Sequence, residues 1–542
     1  MPARRCCLIT LRRHGDVLFV PDVPCAPDDV SGLRAANARL REVIEAKDTE
    51  IAALRAAVQA GTAALARQGR LVRDLELRVA ELERRMRMDS GNSSVPPSKD
   101  DIAARARRKA LRASQRERSK DRRPGGQPGH AGSGLEPAPD PDRTERADPP
   151  AECRSCGAGL AGAGPAGWGW GEVWDIPPVR LEKVHWLLPK LRCSRCGKVT
   201  CADPPHGRAG TVSYGPGVNA AAVLLGSEGN VPAERTAMLM SALPGAPVSA
   251  GFVARAHSRL AGRLEAAGFD AAMKAALRAE QVLCADETPV SLIRNAGADG
   301  QVLAGSPHVV TVRTPDQRLI WYGAAHSRSS EAIKGLGVMD GYAGILVRDD
   351  YAGWAQFDSQ LAGVQQCCAH IFRHLSGIRE LHPDHQRWAD QVRQVLKEAD
   401  GAVRAALAAG RGHLDPDLLA GLRERYDQHV AWGQTTNRLR DWRDGNHPGY
   451  VLATRLKAKA EQIWLFTRNF AVPWTNNASE QAIKGPKRRQ AISGYWHTLA
   501  TLADYCRVRT YLLSSRGHGI APIDAIHAAL AGRPWLPSPL SA

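Results

Sequence analysis

The sequence has no long apolar segment, few aromatic residues and fewer acidic than basic side chains. No window approaches the roughly 18 consecutive apolar residues that a membrane-spanning helix needs. A basic amphipathic anchor with large apolar residues is also missing, which argues against a membrane-surface protein. Apolar residues still make up 43% of the 542 positions, enough for buried cores, and the length predicts about three or four domains.

Cysteine is too sparse for a secreted disulfide scaffold, with 12 residues in the whole chain. The N-terminus does not have the pattern of a signal peptide, because Arg12, Arg13 and His14 follow directly after a short apolar run. Four of the cysteines form two Cys-x-x-Cys pairs, which favours metal binding in a reducing compartment. We therefore expect a cytoplasmic protein.

The excess of positive charge favours a polyanionic partner. Lys and Arg number 73 against 56 Asp and Glu, a formal net charge of +17. Residues 105–123 hold ten basic and two acidic side chains. A solvated, disordered arm is one interpretation and a phosphate-neutralising arm another, and the two are compatible because such arms often fold on nucleic acid. The nucleic-acid contacts predicted from this run are Arg105, Arg107, Arg108, Lys109 and Arg112.

A heptad repeat precedes the basic run. Apolar residues recur every seventh position at Ile44, Ile51, Val58, Leu65, Val72, Val79 and Met86. The length of this repeat predicts a coiled coil over residues 33–88 and hence a homo-oligomer, although a long amphipathic helix packed on its own domain is the alternative. Residues 89–98 are small, polar and proline-rich, and they predict a linker with no packing face.

The two Cys-x-x-Cys pairs predict one structural zinc ion. The ligands would be Cys153, Cys156, Cys193 and Cys196. Each pair is followed by glycine, which allows the turn that aims backbone amides at a thiolate, and four thiolates suit a closed tetrahedral site. A strand pair over residues 172–192 would fill the 36-residue gap between the pairs. Cys201 and His206 are alternative ligands, and free buried cysteines are the alternative to a metal site.

The rest of the chain predicts a mixed α/β core. Short apolar runs with strand propensity occur at 281–286, 308–312, 318–322 and 344–349, and 365–370 is a further candidate strand. Helical patterns cover 213–280, about 371–470, the segment after Asn477 and 499–532. The fold class is therefore α/β with a large helical insertion.

Two of the predicted strands end on a carboxylate, at Asp286 and Asp349. Side chains at the carboxyl ends of strands in an α/β sheet lie where ligands usually bind. Glu480, near the start of a predicted helix, is a third candidate. Three carboxylates from three elements can hold two divalent cations that clamp a phosphodiester, and hard oxygen ligands suit magnesium or manganese.

Each carboxylate also has an ordinary structural interpretation. The two aspartates could be solvated strand ends, and Glu480 could be a capping-box residue with Asn477 as the N-cap. A basic stripe on the same helical face favours a site beside a nucleic-acid backbone instead. The DNA contacts predicted from this stripe are Lys484, Lys487 and Arg488. His370 is equally compatible with contacting a phosphate and with filling the core.

In combination, several short motifs resemble transposases of the insertion-sequence-66 family from the coiled coil almost to the C-terminus. The motifs are Asn92-Ser93-Ser94-x-Pro96-Pro97-Ser98, Gly126-Gln127-Pro128-Gly129-His130, the paired Cys-x-x-Cys, Ala285-Asp286-Glu287-Thr288-Pro289, Asp349-x-Tyr351-Ala352-Gly353-Trp354, Cys368-x-His370 and Pro473-x-Thr475-Asn476-Asn477-x-x-Glu480, continued by Lys487 and Ser493-Gly494.

This resemblance implies an RNase H-like catalytic core with an Asp-Asp-Glu triad at Asp286, Asp349 and Glu480, bound to magnesium. Asp350 is the neighbouring alternative for the second carboxylate. The implied reaction is DNA cleavage at the ends of a mobile element followed by strand transfer into target DNA. The implied partners are double-stranded DNA and, in some relatives, small accessory proteins, and the implied location is the bacterial nucleoid.

The predicted organisation combines these elements. In chain order it comprises an unassigned segment (1–32), a coiled coil (33–88), a linker and basic arm (89–145), a zinc-knuckle domain (146–210), a helical DNA-binding or connecting region (211–280), the first part of the catalytic core (281–370), a helical insertion (371–470) and the last part of the core with C-terminal helices (471–535). A non-catalytic DNA-binding regulator and an inactive transposase remnant are the alternatives to an active enzyme.

Overall fold

The structure is a computed structural model. It describes residues 11–13, 16–18, 30–95, 99–117, 134–177, 179–204, 212–296, 300–443 and 445–538. For residues 11–13, 16–18, 108 and 111–117 it describes the backbone only. Several predictions therefore lie outside the described residues: the end of the linker at 96–98, the basic residues after 117, the motif at 126–130, the alternative ligand His206, and the side chains of Arg108 and Arg112.

The chain divides into two compact units. The first comprises Met1–Arg87 with Asp441–Gly445, and the second comprises the remainder. In the first unit, β1 (Leu11–Arg13) pairs with β2 (Asp16–Leu18) in an antiparallel hairpin. A single 58-residue helix, α1 (Val30–Arg87), follows.

The α1 helix spans almost all of residues 33–88, for which the sequence predicts the helix of a coiled coil. Its heptad residues are exposed in the single chain, from 43% for Ile44 to 84% for Met86. A helix with an apolar stripe that its own chain leaves exposed is typical of a coiled-coil strand, but a second strand is needed to form one. The oligomer therefore stays a prediction.

The second unit begins with α2 (Ile102–Glu117), so the first part of the basic run is helical. A short antiparallel hairpin, β3 (Lys190–Arg192) with β4 (Val199–Cys201), encloses the second Cys-x-x-Cys pair. The structure differs here from the predicted strand pair over 172–192, because β3 lies at the very end of that range and pairs forward across Cys193–Cys196. Of the described residues between the two pairs, those before Lys190 form no named strand.

Four helices precede the central sheet, as the sequence predicts. They are α3 (Pro216–Ser227), α4 (Ala233–Ala242), α5 (Ala250–Ala266) and α6 (Phe269–Arg278). The five strands are β5 (Val282–Pro289), β6 (His308–Arg313), β7 (Ile320–Ala325), β8 (Ile345–Arg348) and β9 (Gly363–Gln366). Two short helices, α7 (Ser330–Lys334) and α8 (Ala352–Ala355), lie in the connections.

The sheet is mixed, with the strand order β7-β6-β5-β8-β9. The first three strands pair antiparallel, whereas β5–β8 and β8–β9 are parallel. The four strands predicted from apolar runs are confirmed. The candidate strand at 365–370 is only half right, because β9 ends at Gln366 and a helix begins at Cys368.

A large helical insertion follows β9, close to its predicted bounds. It comprises α9 (Cys368–Leu381), α10 (Arg387–Ala408), α11 (Pro416–Asn437), α12 (Pro448–Ala458) and α13 (Ala460–Ile463). The chain then returns to the sheet through α14 (Asn477–Ser493), α15 (Leu499–Gly517) and α16 (Pro522–Leu530).

Alternating side chains of the central strands place the sheet between two helical layers. Leu283 and Ala285 pack with α3–α6, α15 and α16, whereas Val282 and Cys284 pack with the insertion. This alternation follows from the two-residue period of a strand. No helix among the described residues is long and apolar enough to cross a membrane.

The α15 helix covers the outer edge of the sheet. Thr510 Oγ1 accepts a hydrogen bond from the backbone of Tyr322 at 2.9 Å. Ser514 Oγ accepts one from Ile320 N at 3.0 Å and donates one to Ile320 O at 3.1 Å. Because an unpaired edge strand invites intermolecular pairing, these bonds also protect β7.

Close packing of α10 on α11 gives a stability prediction. A Cβ at Gly433 would lie 2.6 Å from the ring of the fully buried Trp388. Gly433→Ala should therefore lower the free energy of unfolding by about 1–3 kcal/mol through overpacking. Gly421→Ala is the control, because it lies in the same helix with nothing within 4 Å and should stabilise by up to about 1 kcal/mol. Denaturant unfolding of the full chain measures both, and equal effects would contradict the packing.

Candidate functional site

The parallel pairing of β5 with β8 brings the two predicted aspartates to the same level of the sheet. Cys284 is aligned with Val347 in this register, so Asp286 and Asp349 each stand two residues beyond an aligned pair. Asp349 directly follows β8, but β5 continues past Asp286 to Pro289 in its antiparallel pairing with β6, so the prediction that this strand ends on Asp286 is wrong. Both aspartates still lie just beyond the parallel pairing, at the edge where α/β folds bind ligands. The sheet thus places two of the three predicted carboxylates side by side.

Asn476 brings the third carboxylate to this edge. Its buried side chain donates to Ala285 O at 2.7 Å, and its backbone N–H donates to Cys367 Sγ at 3.1 Å. The buried Arg313 of β6 also donates to Ala478 O, at 2.8 Å. These bonds attach the first turn of α14 to the sheet. One of them is made at Ala285, the residue that precedes Asp286.

The helix-cap interpretation of Glu480 is wrong. The N-cap of α14 is Asn476 rather than Asn477, and no side-chain capping bond forms there. The carboxylate of Glu480 instead accepts a hydrogen bond from Arg373 Nη2 at 2.9 Å. Its side chain is 27% exposed, and its contacts are with Arg373 and His370 of α9 rather than with the start of its own helix.

The charges of the other two predicted carboxylates, Asp349 and Glu480, both act on Asp286. Burial raises the pKa of Asp286 well above its usual range, and the negative charges of Glu287, Asp349 and Glu480 raise it further. Like charges that meet in a desolvated place disfavour ionisation. A cation at this place would offset the same repulsion.

Asp349 and Asp350 point to different partners. Asp349 accepts a bond from Tyr351 N at 3.0 Å, and its charge acts on Asp286. Asp350 forms ion pairs with Lys459 and with Arg455, the latter at 3.4 Å. The geometry therefore favours Asp349 as the second carboxylate of the cluster, since Asp350 is paired within the insertion.

The buried Arg348 fixes the backbone of Asp349. Its guanidinium donates to Asp349 O at 2.8 Å and to both carboxylate oxygens of Asp358, at 2.9 and 2.7 Å. The side chain is fully buried, so this ion pair is only partly screened by solvent. Sequence reasoning did not identify Arg348, although an arginine that ends an apolar strand is unusual enough to mark it.

Glu287 is held by its own partners. Its side chain is 2% exposed and pairs with Arg328 at 2.5 Å, and Trp354 Nε1 donates to it at 2.6 Å. Burial raises the pKa of Glu287, as does the charge of Asp349, while Arg328 lowers it. The tryptophan of the middle motif thus serves to fix the glutamate beside Asp286.

The α9 helix adds two basic side chains that sequence reasoning left without a firm role. Arg373 links Glu480 to His370, because its Nη1 lies 3.1 Å from His370 Nε2. A guanidinium only donates, so Nε2 accepts and the neutral ring carries its proton on Nδ1. That buried Nδ1 has no hydrogen-bond partner among the described residues and lies 3.9 Å from Glu480 Oε1. Burial, and then Arg373, lower the pKa of His370.

The donor set fits hard divalent cations in charge and in atom type. Carboxylate oxygens are the ligands that magnesium and manganese prefer, and the raised pKa of Asp286 marks an excess of negative charge. Within the described residues, however, no three His, Cys, Asp or Glu side chains stand in a ready-made metal-binding arrangement. The magnesium and zinc sites both stay predictions.

Each Cys-x-x-Cys pair has the local geometry of a zinc knuckle. Gly157 and Gly197 adopt φ of +73° and +69°, and each donates to the carbonyl of the first cysteine of its pair at 2.9 Å. Backbone amides directed at the sulfur lower the pKa of Cys153 and of Cys193. Both turns are therefore arranged to stabilise a thiolate, although the structure does not gather the two pairs into one cluster.

The predicted DNA-contacting side chains of α14 differ in their exposure. Lys484 and Arg488 are exposed. Lys487 is half-buried and donates to Pro289 O, and burial lowers its pKa. Its ammonium is thus engaged within the protein, which leaves the other two as the accessible part of the stripe.

The predicted contacts of α2 that the structure describes also differ. Arg105, Arg107 and Lys109 are all exposed, and Arg107 also pairs with Asp89 at 2.8 Å. This ion pair raises the pKa of Arg107 and holds it against the preceding turn. The arm is therefore anchored at one basic residue.

The fold and site together define a mixed α/β protein with a carboxylate cluster and flanking basic side chains at one edge of its sheet. A family model described as Transposase IS66 family matches residues 211–503, more than half of the chain. The chain therefore belongs to the IS66 family of transposases, which confirms the resemblance. Membership assigns the protein a transposase role, which implies DNA binding and a DNA-modifying enzyme.

A second match covers the N-terminal region. Residues 34–136 fit a model described as a family of unknown function, DUF6444, and this span includes most of α1 and all of α2. No curated protein matches the chain. The N-terminal region therefore takes no function from these comparisons.

The knuckle turns lead to a metal prediction. Purified protein should contain about one zinc ion per chain, because four thiolates form a closed tetrahedral site. Replacing Cys153 and Cys193 together with serine should abolish binding, whereas Cys284→Ser, at a cysteine buried in the sheet, should leave it unchanged. Elemental analysis measures both, and full zinc retention in the double variant would refute the assignment.

Proposed function

We propose that the protein binds the ends of an insertion sequence and catalyses metal-dependent DNA strand cleavage and strand transfer. The observation that carries this proposal is the convergence of Asp286, Asp349 and Glu480, which come from two strands and one helix far apart in the chain. The mixed five-stranded sheet, three antiparallel strands followed by two parallel ones, supports an RNase H-like core.

The three carboxylates would hold two divalent cations, which supply activation of the attacking water and stabilisation of the leaving 3′ oxygen. The protein itself positions the groups. Arg373 orients the Glu480 carboxylate, and Arg348 fixes the backbone at Asp349. The 3′-hydroxyl freed by this hydrolysis would then attack a phosphodiester of the target DNA in a transesterification that releases the target's 3′ oxygen, so no serine or tyrosine nucleophile is required.

The basic side chains would bind the DNA backbone beside the cluster. The exposed predicted contacts are Arg105, Arg107 and Lys109 on α2, and Lys484 and Arg488 on α14. Phosphate contacts of this kind position the duplex without reading its sequence. The exposed apolar stripe of α1 would join two chains, which suits an enzyme that acts on both ends of one element. Small accessory proteins encoded by the same element stay a further expectation.

The triad is tested by isosteric variants. Asp286→Asn, Asp349→Asn and Glu480→Gln each remove one charge from the proposed cation site while keeping side-chain shape. Cleavage and joining of labelled DNA ends should fall by orders of magnitude, with DNA binding retained.

Asp350→Asn is the matched control, because its carboxylate pairs with Lys459 and Arg455 instead, and it should keep substantial activity. An inactive Asp350→Asn beside an active Asp349→Asn would reverse the assignment of the second carboxylate. Full activity of Glu480→Gln would show that Glu480 is not the third ligand, and it would refute the proposed reaction.

The basic arm is tested through salt dependence. Replacing Arg105, Arg108 and Lys109 with alanine should weaken DNA binding across sequences. The log–log salt slope should fall by about 0.9 for each phosphate that the arm no longer neutralises. Arg107 is kept, because it pairs with Asp89.

The control for the arm removes the same charge from the insertion, at the exposed residues Lys397, Arg411 and Arg438, and should leave the slope unchanged. Fluorescence anisotropy over a range of salt concentrations measures both slopes. An unaltered slope in the arm variant would show that α2 does not contact the backbone.

A further inference from the structure

The segment predicted as a linker packs on α9. Asn92 Nδ2 donates to Glu380 Oε2 at 2.6 Å, and Ser94 Oγ lies 2.8 Å from His374 Nε2. The backbone oxygen of Asn92 approaches Gly377 so closely that a Cβ there would lie 2.2 Å from it. The structure differs from the sequence prediction because the contacts are polar, and an apolar packing face is not needed for them.

The turn that makes these contacts is internally ordered. Asp89 N donates to Asn92 Oδ1 at 2.8 Å, and Ser93 Oγ donates to Asp89 O at 2.6 Å. The carboxylate of Asp100 accepts from both Ser90 N and Ser90 Oγ, at 2.8 and 2.7 Å. Ser90, Ser93 and Asp100 are each at most 6% exposed. These bonds hold residues 89–95, which we term the docking turn, in one conformation.

The face of α9 that receives the docking turn also reaches the carboxylate cluster. His370, Arg373, Gly377 and Glu380 follow one another at three- and four-residue spacing, so they share one side of the helix. The N-terminal half of this face contacts Glu480 through Arg373, and the C-terminal half contacts Asn92. A rigid helix of this length therefore links the docking turn directly to the third carboxylate.

A second chain of contacts leads from the docking turn to the middle motif. Arg455 Nη2 lies 2.7 Å from His374 Nδ1, and Arg455 pairs with Asp350. Burial, with the charge of Arg455, lowers the pKa of His374 to about 4, so the ring is neutral at pH 7. Its Nδ1 accepts from Arg455 and its Nε2 therefore donates to Ser94. Two side chains, His374 and Arg455, thus connect Ser94 to Asp350, the residue that follows Asp349.

We propose that the docking turn positions the catalytic carboxylates by fixing α9, with Asn92 and Ser94 as positioning residues that do not touch DNA at the cleavage point. The expected effect on cleavage rests on the proposed function. The contact of the docking turn with α9 does not depend on that function. It assigns a role to part of the region that matches a family of unknown function. A misplacement of about 1 Å at a catalytic group lowers a rate by as much as about 100-fold.

Gly377→Ala is the direct test, because it removes no polar group and alanine favours a helix. Its Cβ would collide with the backbone of Asn92 and displace the docking turn. The single-turnover rate of DNA-end cleavage should fall about 10-fold or more. The Kd for DNA, measured in EDTA, should stay close to that of the wild type, and the thermal midpoint should fall by only about 2–4 °C, so that the chain stays folded in the assay.

Gly401→Ala is the matched control, since it lies inside α10 with nothing within 4 Å of its Cβ, and it should cleave like the wild type. Wild-type cleavage by Gly377→Ala would overturn the positioning role. A loss of DNA affinity in proportion to the fall in rate would overturn it as well, because the docking turn would then act in binding.

Exchanging the partners of one hydrogen bond gives a rescue. Asn92→Asp places a carboxylate against Glu380 and should lower the cleavage rate. The double variant Asn92→Asp with Glu380→Gln restores a donor and an acceptor in the reverse order, and it should recover most of the rate. A double variant no more active than Asn92→Asp alone would overturn the proposed hydrogen bond. Ser94→Thr keeps the hydroxyl and should outperform Ser94→Ala in the same assay.

Hydrogen exchange of the α9 amides separates this proposal from the proposed function. In the Gly377→Ala variant of the full chain, the backbone amides of Cys368–Leu381 should exchange faster than in the wild type and in Gly401→Ala. Unchanged exchange would overturn the docking whatever the activity. If the wild type fails to cleave DNA while exchange in Gly377→Ala rises, the proposed function fails and the docking turn stands as an ordering element of α9.

Discussion

The hydrogen bond from the Asn476 side chain to Ala285 O joins two parts of the core that are 191 residues apart. It is buried, and the neighbouring backbone bond to Cys367 is equally enclosed. Since the whole helical insertion separates β9 from α14, nothing local directs Glu480 to the sheet. The side-chain amide of Asn476, together with Arg313, attaches the start of α14 beside Asp286 and so brings Glu480 to this edge.

The acidic residues at this edge differ in whether they form ion pairs with basic side chains. Glu287 is paired with Arg328, and Asp350 with Arg455 and Lys459. Asp286 is left in a buried place where three neighbouring negative charges act on it. This arrangement favours cation binding, because a divalent ion bound between carboxylates offsets the repulsion of their negative charges.

Polar contacts join the N-terminal region of the second unit to this site. The docking turn reaches α9 through Asn92 and Ser94, and Arg107 of the basic helix α2 is paired to Asp89 at the start of the same turn. A short series of hydrogen bonds and ion pairs therefore runs from a predicted DNA-binding helix to the carboxylate cluster. Such contacts have directional geometry, which makes them better suited to positioning than an apolar patch.

The sequence by itself determined the long helix, four of the five central strands, the helical insertion and the three candidate carboxylates, because period, propensity and motif are local properties of the chain. It left two questions open, Asp349 against Asp350 and Glu480 as ligand or cap, and it wrongly predicted that the polar linker has no packing face. Adjacent residues past a strand end face different neighbours, and a polar turn packs only where distant donors and acceptors meet it. Those neighbours, Arg455, Arg373 and Glu380, come from the insertion, so only the tertiary structure could decide.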